Sequence, residues 1–390
     1  HDMPDRRRGQ LVNLKALAFA LVWSLGALPV QGQAQPALAA PVQRERAALL
    51  EQGEAALSHG RPDQALRLFE KAAAMAHAAD SELSLVRAHM QTGAYQQAIA
   101  FSAHTAGAHR QVSEGAALYA WLLAIGGQRE AADKLLDAAD ERFGNNPLLK
   151  SVRRLIDDLS GEPGADLPVR LRPYADATPL PARVAVVSSG VLIDDGRRAL
   201  VPLSSLSGKS PIWVRDGLGQ SSRALVERHD SPLGLAVVRL DKPFALQSTP
   251  RALGDTAVTL PLPAWAEKDP FPGSPAYAVE FQRATAATPA WPRLYSGFNG
   301  LPAAQAGLRN LAIDSPAGPA GGAVFDAAGH CTGMLVSTAT TRHMVPMSRL
   351  RRAFGALLGP STPMAPGQRA TVEAVYEGAL RVTLQVIRSR

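Results

Sequence analysis

Leu311-Ala312-Ile313-Asp314, Gly318-Pro319-Ala320-Gly321-Gly322 and Ala323-Val324-Phe325-Asp326 form the stretch that decides how the second half of this 390-residue chain folds. Apolar residues lead into a turn crowded with glycine, and apolar residues lead out again. Glycine tolerates backbone angles that side chains forbid, so Gly318, Gly321 and Gly322 predict a loop of special conformation between two strands. Ala327-Ala328-Gly329 then predicts a hairpin turn, and Cys331-Thr332-Gly333-Met334-Leu335-Val336 the next strand. Successive backbone N–H groups in such a loop form a nest that can accept a carboxylate or a carbonyl.

The same order continues on both sides. Ser189-Gly190-Val191-Leu192-Ile193-Asp194-Asp195-Gly196 reads as a strand and turn, and Ala199-Leu200-Val201-Pro202-Leu203-Ser204-Ser205-Leu206 follows it. Ile212-Trp213-Val214-Arg215-Asp216-Gly217 predicts a hairpin, followed by Arg228-His229-Asp230-Ser231-Pro232-Leu233-Gly234-Leu235-Ala236-Val237-Val238-Arg239-Leu240. Tyr277-Ala278-Val279-Glu280-Phe281 reads as a central strand, and Arg342 to Phe354 as a closing strand, a Val-Pro step and a short helix. Five segments in this order resemble the trypsin-like serine proteases of the HtrA/Deg type. The resemblance implies a chymotrypsin/trypsin-like double β-barrel over residues 182–359.

It also implies where the catalytic triad would fall. The family's histidine falls on Ser204 (Ser205 if the register slips by one), its aspartate on Gly234 and its serine on Ala320. A methyl group cannot attack a carbonyl. A serine nucleophile needs a base within hydrogen-bond reach, and the base needs an acid that holds its tautomer. The resemblance therefore predicts a pseudoprotease with an oxyanion-type loop at Gly318, Ala320, Gly321 and Gly322. Its rival is an active trypsin-like endopeptidase with a non-standard site. His229 reads as a solvated loop histidine, His330 as a hairpin-turn residue, and Ser204 and Ser205 as turn hydroxyls.

Upstream the pattern changes to alanine-rich helices with a period. His59-Gly60-Arg61-Pro62-Asp63-Gln64-Ala65-Leu66-Arg67-Leu68-Phe69, Thr92-Gly93-Ala94-Tyr95-Gln96-Gln97-Ala98-Ile99-Ala100-Phe101 and Gly126-Gly127-Gln128-Arg129-Glu130-Ala131-Ala132-Asp133-Lys134-Leu135 repeat one design. Gly60, Gly93 and Gly126 mark tight turns between paired helices, and Phe69, Phe101 and Leu135 are expected to plug the gap to the next unit. This region resembles tetratricopeptide repeats over residues 41–160, with Leu148–Leu159 as a capping helix. Such arrays bind peptides in a groove, which the resemblance would build here from Gln52, Glu82, Arg87 and His89. The rival reading is an array that only docks on the β-domain as a spacer.

The ends and the composition set further bounds. Arg6-Arg7-Arg8 and the apolar run Ala16–Leu28, too short for a spanning helix, predict a signal peptide over residues 1–39. That predicts export to the periplasm or beyond, with an uncleaved anchor as the alternative and no stable membrane span once the signal is removed. Net charge is +7, and residues 1–39 carry four basic and two acidic residues, so the remainder holds +5. That charge is dispersed, which argues against nucleic acid as a partner. The single cysteine, Cys331, excludes an internal disulfide and reads as a buried thiol. No metal-ligand spacing is legible, and no cofactor is implied.

Residues 161–181 form a Pro/Gly-rich linker and 360–390 a second linker with a helix and strand tail. That tail resembles the helix and strand that open a trypsin-like domain. Either it returns to complete the barrel or it is the stump of another domain. An unpaired alternating strand would invite aggregation, which favours completion. The whole reads as a multidomain α plus β protein whose partner is a protein or peptide. A third role, purely structural in envelope assembly, stays open.

Overall fold

The computed structural model describes residues 38–59, 61–157, 180–206, 210–246, 262–285, 287, 290–304, 307–313, 320–337 and 342–390. Most of the expected signal segment and of the linker, with Gly60 and Gly318, lie outside them. The chain divides into His1–Gln43 and Arg44–Arg390, and the contacts described below lie within the second unit.

Seven helices among the described residues build the array. Helices α1 (Ala40–Ser58) and α2 (Pro62–Met75) form the first pair, α3 (Ala79–Gln91) and α4 (Tyr95–Ala108) the second, and α5 (Ser113–Ile125) and α6 (Arg129–Phe143) the third. Helix α7 (Pro147–Asp157) follows and buries Leu149, Val152, Leu155 and Ile156. Pro62 sits in the first turn of α2, where its missing N–H costs nothing.

The inward stripe of each second helix repeats at i, i+4 and i+7. In α2 it is Ala65, Phe69 and Ala72; in α4, Ala98, Ser102 and Thr105; in α6, Ala132, Leu136 and Ala139. The equivalents of Phe69 are therefore Ser102 and Leu136, one residue beyond the expected Phe101 and Leu135. Phe101 is exposed instead and stacks on His89, with ring centroids 5.4 Å apart. The glycine markers keep an even spacing, but the helix phase slips by one between the second and third copies, which glycine spacing alone does not reveal.

Two six-stranded β-barrels follow. The first closes in the order β1 (Val184–Ile193), β14 (Thr383–Ser389), β3 (Ile212–Asp216), β4 (Ser221–Asp230), β5 (Leu235–Leu240) and β2 (Arg198–Pro202). In the second, β10 (Ala323–Phe325), β7 (Pro275–Glu280), β8 (Arg293–Pro302), β9 (Arg309–Ile313), β12 (Arg342–Pro346) and β11 (Cys331–Ser337) are neighbours, and a β10–β11 pairing closes the ring. The short strands β6 (Trp265–Ala266) and β13 (Ser361–Thr362) extend from β11, and α8 (Met347–Leu358) follows β12. This is the trypsin-like double β-barrel.

The C-terminal tail completes the first barrel. Strand β14 lies antiparallel between β1 and β3, pairing Ile387 with Val186 and Val386 with Val214. Its residues Thr383 to Ile387 are all buried, so a strand from the end of the chain fills an interior slot of a barrel that begins near residue 184.

Helix α9 (Val372–Val382), capped by the Thr371 hydroxyl accepting from Ala374 N–H, sits between this barrel and the array. Glu377 accepts from the Gln96 N–H at 3.1 Å, and Arg381 donates to the Gly93 carbonyl at 3.5 Å. Arg293 of the second barrel donates to the Leu155 carbonyl at 2.9 Å and lies over the Trp121 ring, 5.7 Å from its centroid. The second and third helix pairs share one continuous apolar core with the barrels, and the first pair packs in a cluster of its own.

Candidate functional site

The three positions that the resemblance matches to the triad lie on segments near the contact between the barrels. Ser204 lies in a short 3₁₀ turn, Leu203–Ser205, at the end of β2. Gly234 caps a second 3₁₀ turn, Ser231–Leu233, before β5, and its carbonyl accepts from Leu203 N–H at 2.8 Å. Ala320 is buried just ahead of β10.

The loop after Ala320 is pressed against the first barrel. Gly321 has φ +135°, and a Cβ there would stand 2.0 Å from the Ser189 carbonyl oxygen and 2.8 Å from Pro202 Cγ. No larger residue fits without moving β1 or β2, which is the physical reason for glycine here. Gly234, at φ +65°, is glycine for conformation alone, since a Cβ there would meet nothing within 4 Å. Phe281 N–H donates to Ser189 Oγ at 2.7 Å, which stitches the two barrels together.

The side chains at the seam have other work. Ser204 is exposed, whereas Ser205 is buried and its hydroxyl lies 2.5 Å from Ser188 Oγ. Ser205, one residue on from the expected equivalent, is thus the inward hydroxyl, and its hydrogen-bond partner is another serine.

Nor is the loop open to a ligand along its whole length. The Glu280 carboxylate accepts from Gly322 N–H at 3.4 Å, and its second oxygen takes a 2.5 Å bond from Arg342. Burial pushes the Glu280 carboxyl above its ordinary pKa, while Arg342 and the N–H groups of Gly321 and Gly322 pull it back. The expected empty nest over Gly318, Ala320, Gly321 and Gly322 is, at its Gly322 end, filled by the protein's own carboxylate.

The remaining candidates separate. His229 is exposed but belongs to β4, where it pairs with Ala236, so it is a strand residue and not a loop residue. His330 is buried at the turn before β11, with Nδ1 3.9 Å from Asp326. Cys331 is buried, and desolvation pushes its thiol up to about 12.

In the array, Gln52 is exposed on α1. Glu82, Arg87 and His89 are only 6%, 6% and 2% exposed. Arg87 makes a forked pair with Glu54 at 2.8 and 2.9 Å, and His89 lies under Phe101. These three side chains are turned into the array because α3, the first helix of the middle pair, is covered on nearly all sides. They cannot line an open peptide groove. Glu82 instead meets His77, His104 and His109, a convergence that sequence spacing does not announce. Among the described residues no helix is long and apolar enough to cross a membrane.

Residues 56–122 match the tetratricopeptide repeat family. No curated protein matches the chain. Among solved structures, the chain is similar to the MamO protease domain from Magnetospirillum magneticum in its apo form. The identity is 16% over 45% of this chain and 92% of that one, with a TM-score of 0.34. It is similar also to Deg5, at 15% identity over 44% of this chain and 86% of that one, with a TM-score of 0.31.

Proposed function

We propose that this protein is an exported protein-binding scaffold or regulator in which a tetratricopeptide array is joined to a pseudoprotease. The observation that carries the reading is the seam itself. The resemblance matches the base, acid and nucleophile of a trypsin-like fold to Ser204, Gly234 and Ala320, and the neighbouring Ser205 hydroxyl is engaged by Ser188. A serine hydroxyl needs a base to take its proton, and the partner of the Ser205 hydroxyl is another hydroxyl, Ser188. Tetratricopeptide repeats are interaction modules, and three stacked helix pairs with a following helix supply enough surface to hold a peptide. Burial of Glu82, Arg87 and His89 moves the expected contact surface to exposed positions such as Gln52.

The test has two arms on the full chain. A fluorophosphonate probe, which labels an activated serine, is expected to leave the protein unlabelled; labelling of Ser204 or Ser205 would establish the rival endopeptidase. Photo-crosslinkers placed at exposed array positions, Gln52 first, are expected to capture one specific envelope protein in cells. Failure to capture any partner, from the array or from the barrels, would remove the scaffold reading and leave a purely structural role.

A further inference from the structure

We propose that His77, Glu82 and His109 form a binding site for a divalent transition metal of the zinc class, with His104 beside it as a fourth ligand. The four residues come from two neighbouring repeats. His77 lies in the connection between α2 and α3, Glu82 in the first turn of α3, His104 on α4, and His109 at the C-terminal cap of α4. Three of the chain's nine histidines are gathered around one carboxylate.

The distances suit a metal. Glu82 Oε1 lies 2.7 Å from His77 Nε2, 3.4 Å from His109 Nε2 and 3.6 Å from His104 Nε2. His77 Nε2 and His104 Nε2 are 3.3 Å apart. Tetrahedral ligands about 2.0–2.1 Å from zinc stand roughly 3.3 Å from one another. The ligand atoms of His77, Glu82 and His109 all lie within 4.8 Å of one another, so small side-chain rotations suffice to close the set.

Hydrogen bonding alone leaves the cluster incompletely satisfied. One carboxylate oxygen, Glu82 Oε1, faces three imidazole nitrogens, and the buried His109 Nε2 has no hydrogen-bond partner. Where His77 and His104 meet, at least one Nε2 must present a lone pair, which is what a metal requires. The other Glu82 oxygen is already held by the Thr105 hydroxyl at 2.8 Å. That bond fixes the carboxylate and aims Oε1 at the cluster, as outer partners of metal ligands do.

The repeat supplies an internal control. Thirty-four residues on, where the third helix pair stands in phase with the second, the equivalents of His77, Glu82, His104 and His109 are Gln111, Ala116, Ala138 and Phe143. The helix-pair framework does not itself need these four residues. Access is open on one side, because the His77 and His104 side chains are 49% and 32% exposed, while Glu82 and His109 at 7% and 10% form the floor. Nitrogen and carboxylate ligands favour zinc, copper or nickel over magnesium or calcium. A bound ion would tie the α2–α3 connection to the end of α4 and stiffen the middle repeat.

The experiment uses the full chain, stripped with a chelator and titrated with Zn²⁺ and, separately, Co²⁺. The expected result is one ion per chain, a visible Co²⁺ spectrum of tetrahedral intensity, and a rise in the thermal midpoint with Zn²⁺. His77→Ala, at the exposed rim, should fold normally, weaken Zn²⁺ binding at least tenfold and abolish the thermal shift. Glu82→Gln should weaken it similarly while keeping the shape of the side chain. The proposal is overturned if the full chain binds no Zn²⁺, or if His77→Ala and Glu82→Gln retain the wild-type affinity and Co²⁺ spectrum.

Discussion

The rings of Tyr95, at the start of α4, and Tyr376, in α9, pack with centroids 4.8 Å apart and planes inclined by 59°. Both are fully buried; the Tyr376 hydroxyl donates to the Pro292 carbonyl at 2.8 Å and the Tyr95 hydroxyl to the Leu122 carbonyl. One residue comes from the helical array and the other from the C-terminal segment that closes the first barrel. This contact makes the array and the barrels a single packed body.

Tyr376→Ala is therefore expected to destabilise both halves together. Truncating a buried aromatic ring costs about 3–5 kcal/mol, and here it also leaves the Pro292 carbonyl unpaired. Circular dichroism would follow the helices and barrel tryptophan fluorescence the sheets. Coincident melting at a lowered midpoint is expected, and independent transitions in the wild type would contradict the single body.

Ala320→Ser should not create a protease. On the proposed reading, the positions matched to base and acid are Ser204 and Gly234, and a serine without that base and acid loses several orders of magnitude in rate. Peptide hydrolysis and fluorophosphonate labelling of the variant are both expected to stay at background.

Glu280 and Arg342 form a buried pair beneath the Gly321-Gly322 loop. Removing one partner leaves a buried charge, so Glu280→Ala or Arg342→Ala should each cost about 3–5 kcal/mol. The double variant should cost clearly less than the sum of the two, as read by denaturant unfolding.

Cys331 is buried, with its thiol pushed up to about 12. Almost no thiolate exists at pH 8, so iodoacetamide should leave the native protein unmodified and label it rapidly in denaturant. Rapid alkylation of the native state would place the thiol elsewhere.

Asp216 gives the pH dependence. Burial pushes its carboxyl up to about 7, against hydrogen bonds from Leu218 N–H, Gln220 N–H and the Gln220 side chain that act in the opposite direction. The unfolded value is about 3.9, so the raised native value contributes stability that is complete below about pH 4 and is lost as pH rises towards 7. A three-unit shift corresponds to about 4 kcal/mol at most. The stability difference between the wild type and Asp216→Asn should therefore fall across that window and level off above it. A difference constant from pH 4 to 7 would show that Asp216 does not carry it.

What the sequence determined is what periodicity and turn chemistry specify locally. Glycines every 33 residues and the i, i+4 apolar stripe are local signals, so three helix pairs can be read directly from the text. Alternating strands and the glycine-rich run before Ala323 likewise mark the second barrel. Tertiary structure decided everything that depends on which surfaces meet. It placed β14 between β1 and β3, because a buried strand needs hydrogen-bond partners on both sides wherever in the chain they occur. It slipped the inward stripe of α6 by one residue relative to the glycine marker, since close packing follows the phase of the helix. It put Glu280 against Gly322, 42 residues away in sequence, and buried Glu82, Arg87 and His89, whose polarity alone suggests a surface. Above all, it drew His77, Glu82, His104 and His109 to one point. Their spacing matches no ligand motif, and only the stacking of neighbouring helices converts that separation along the chain into ångströms.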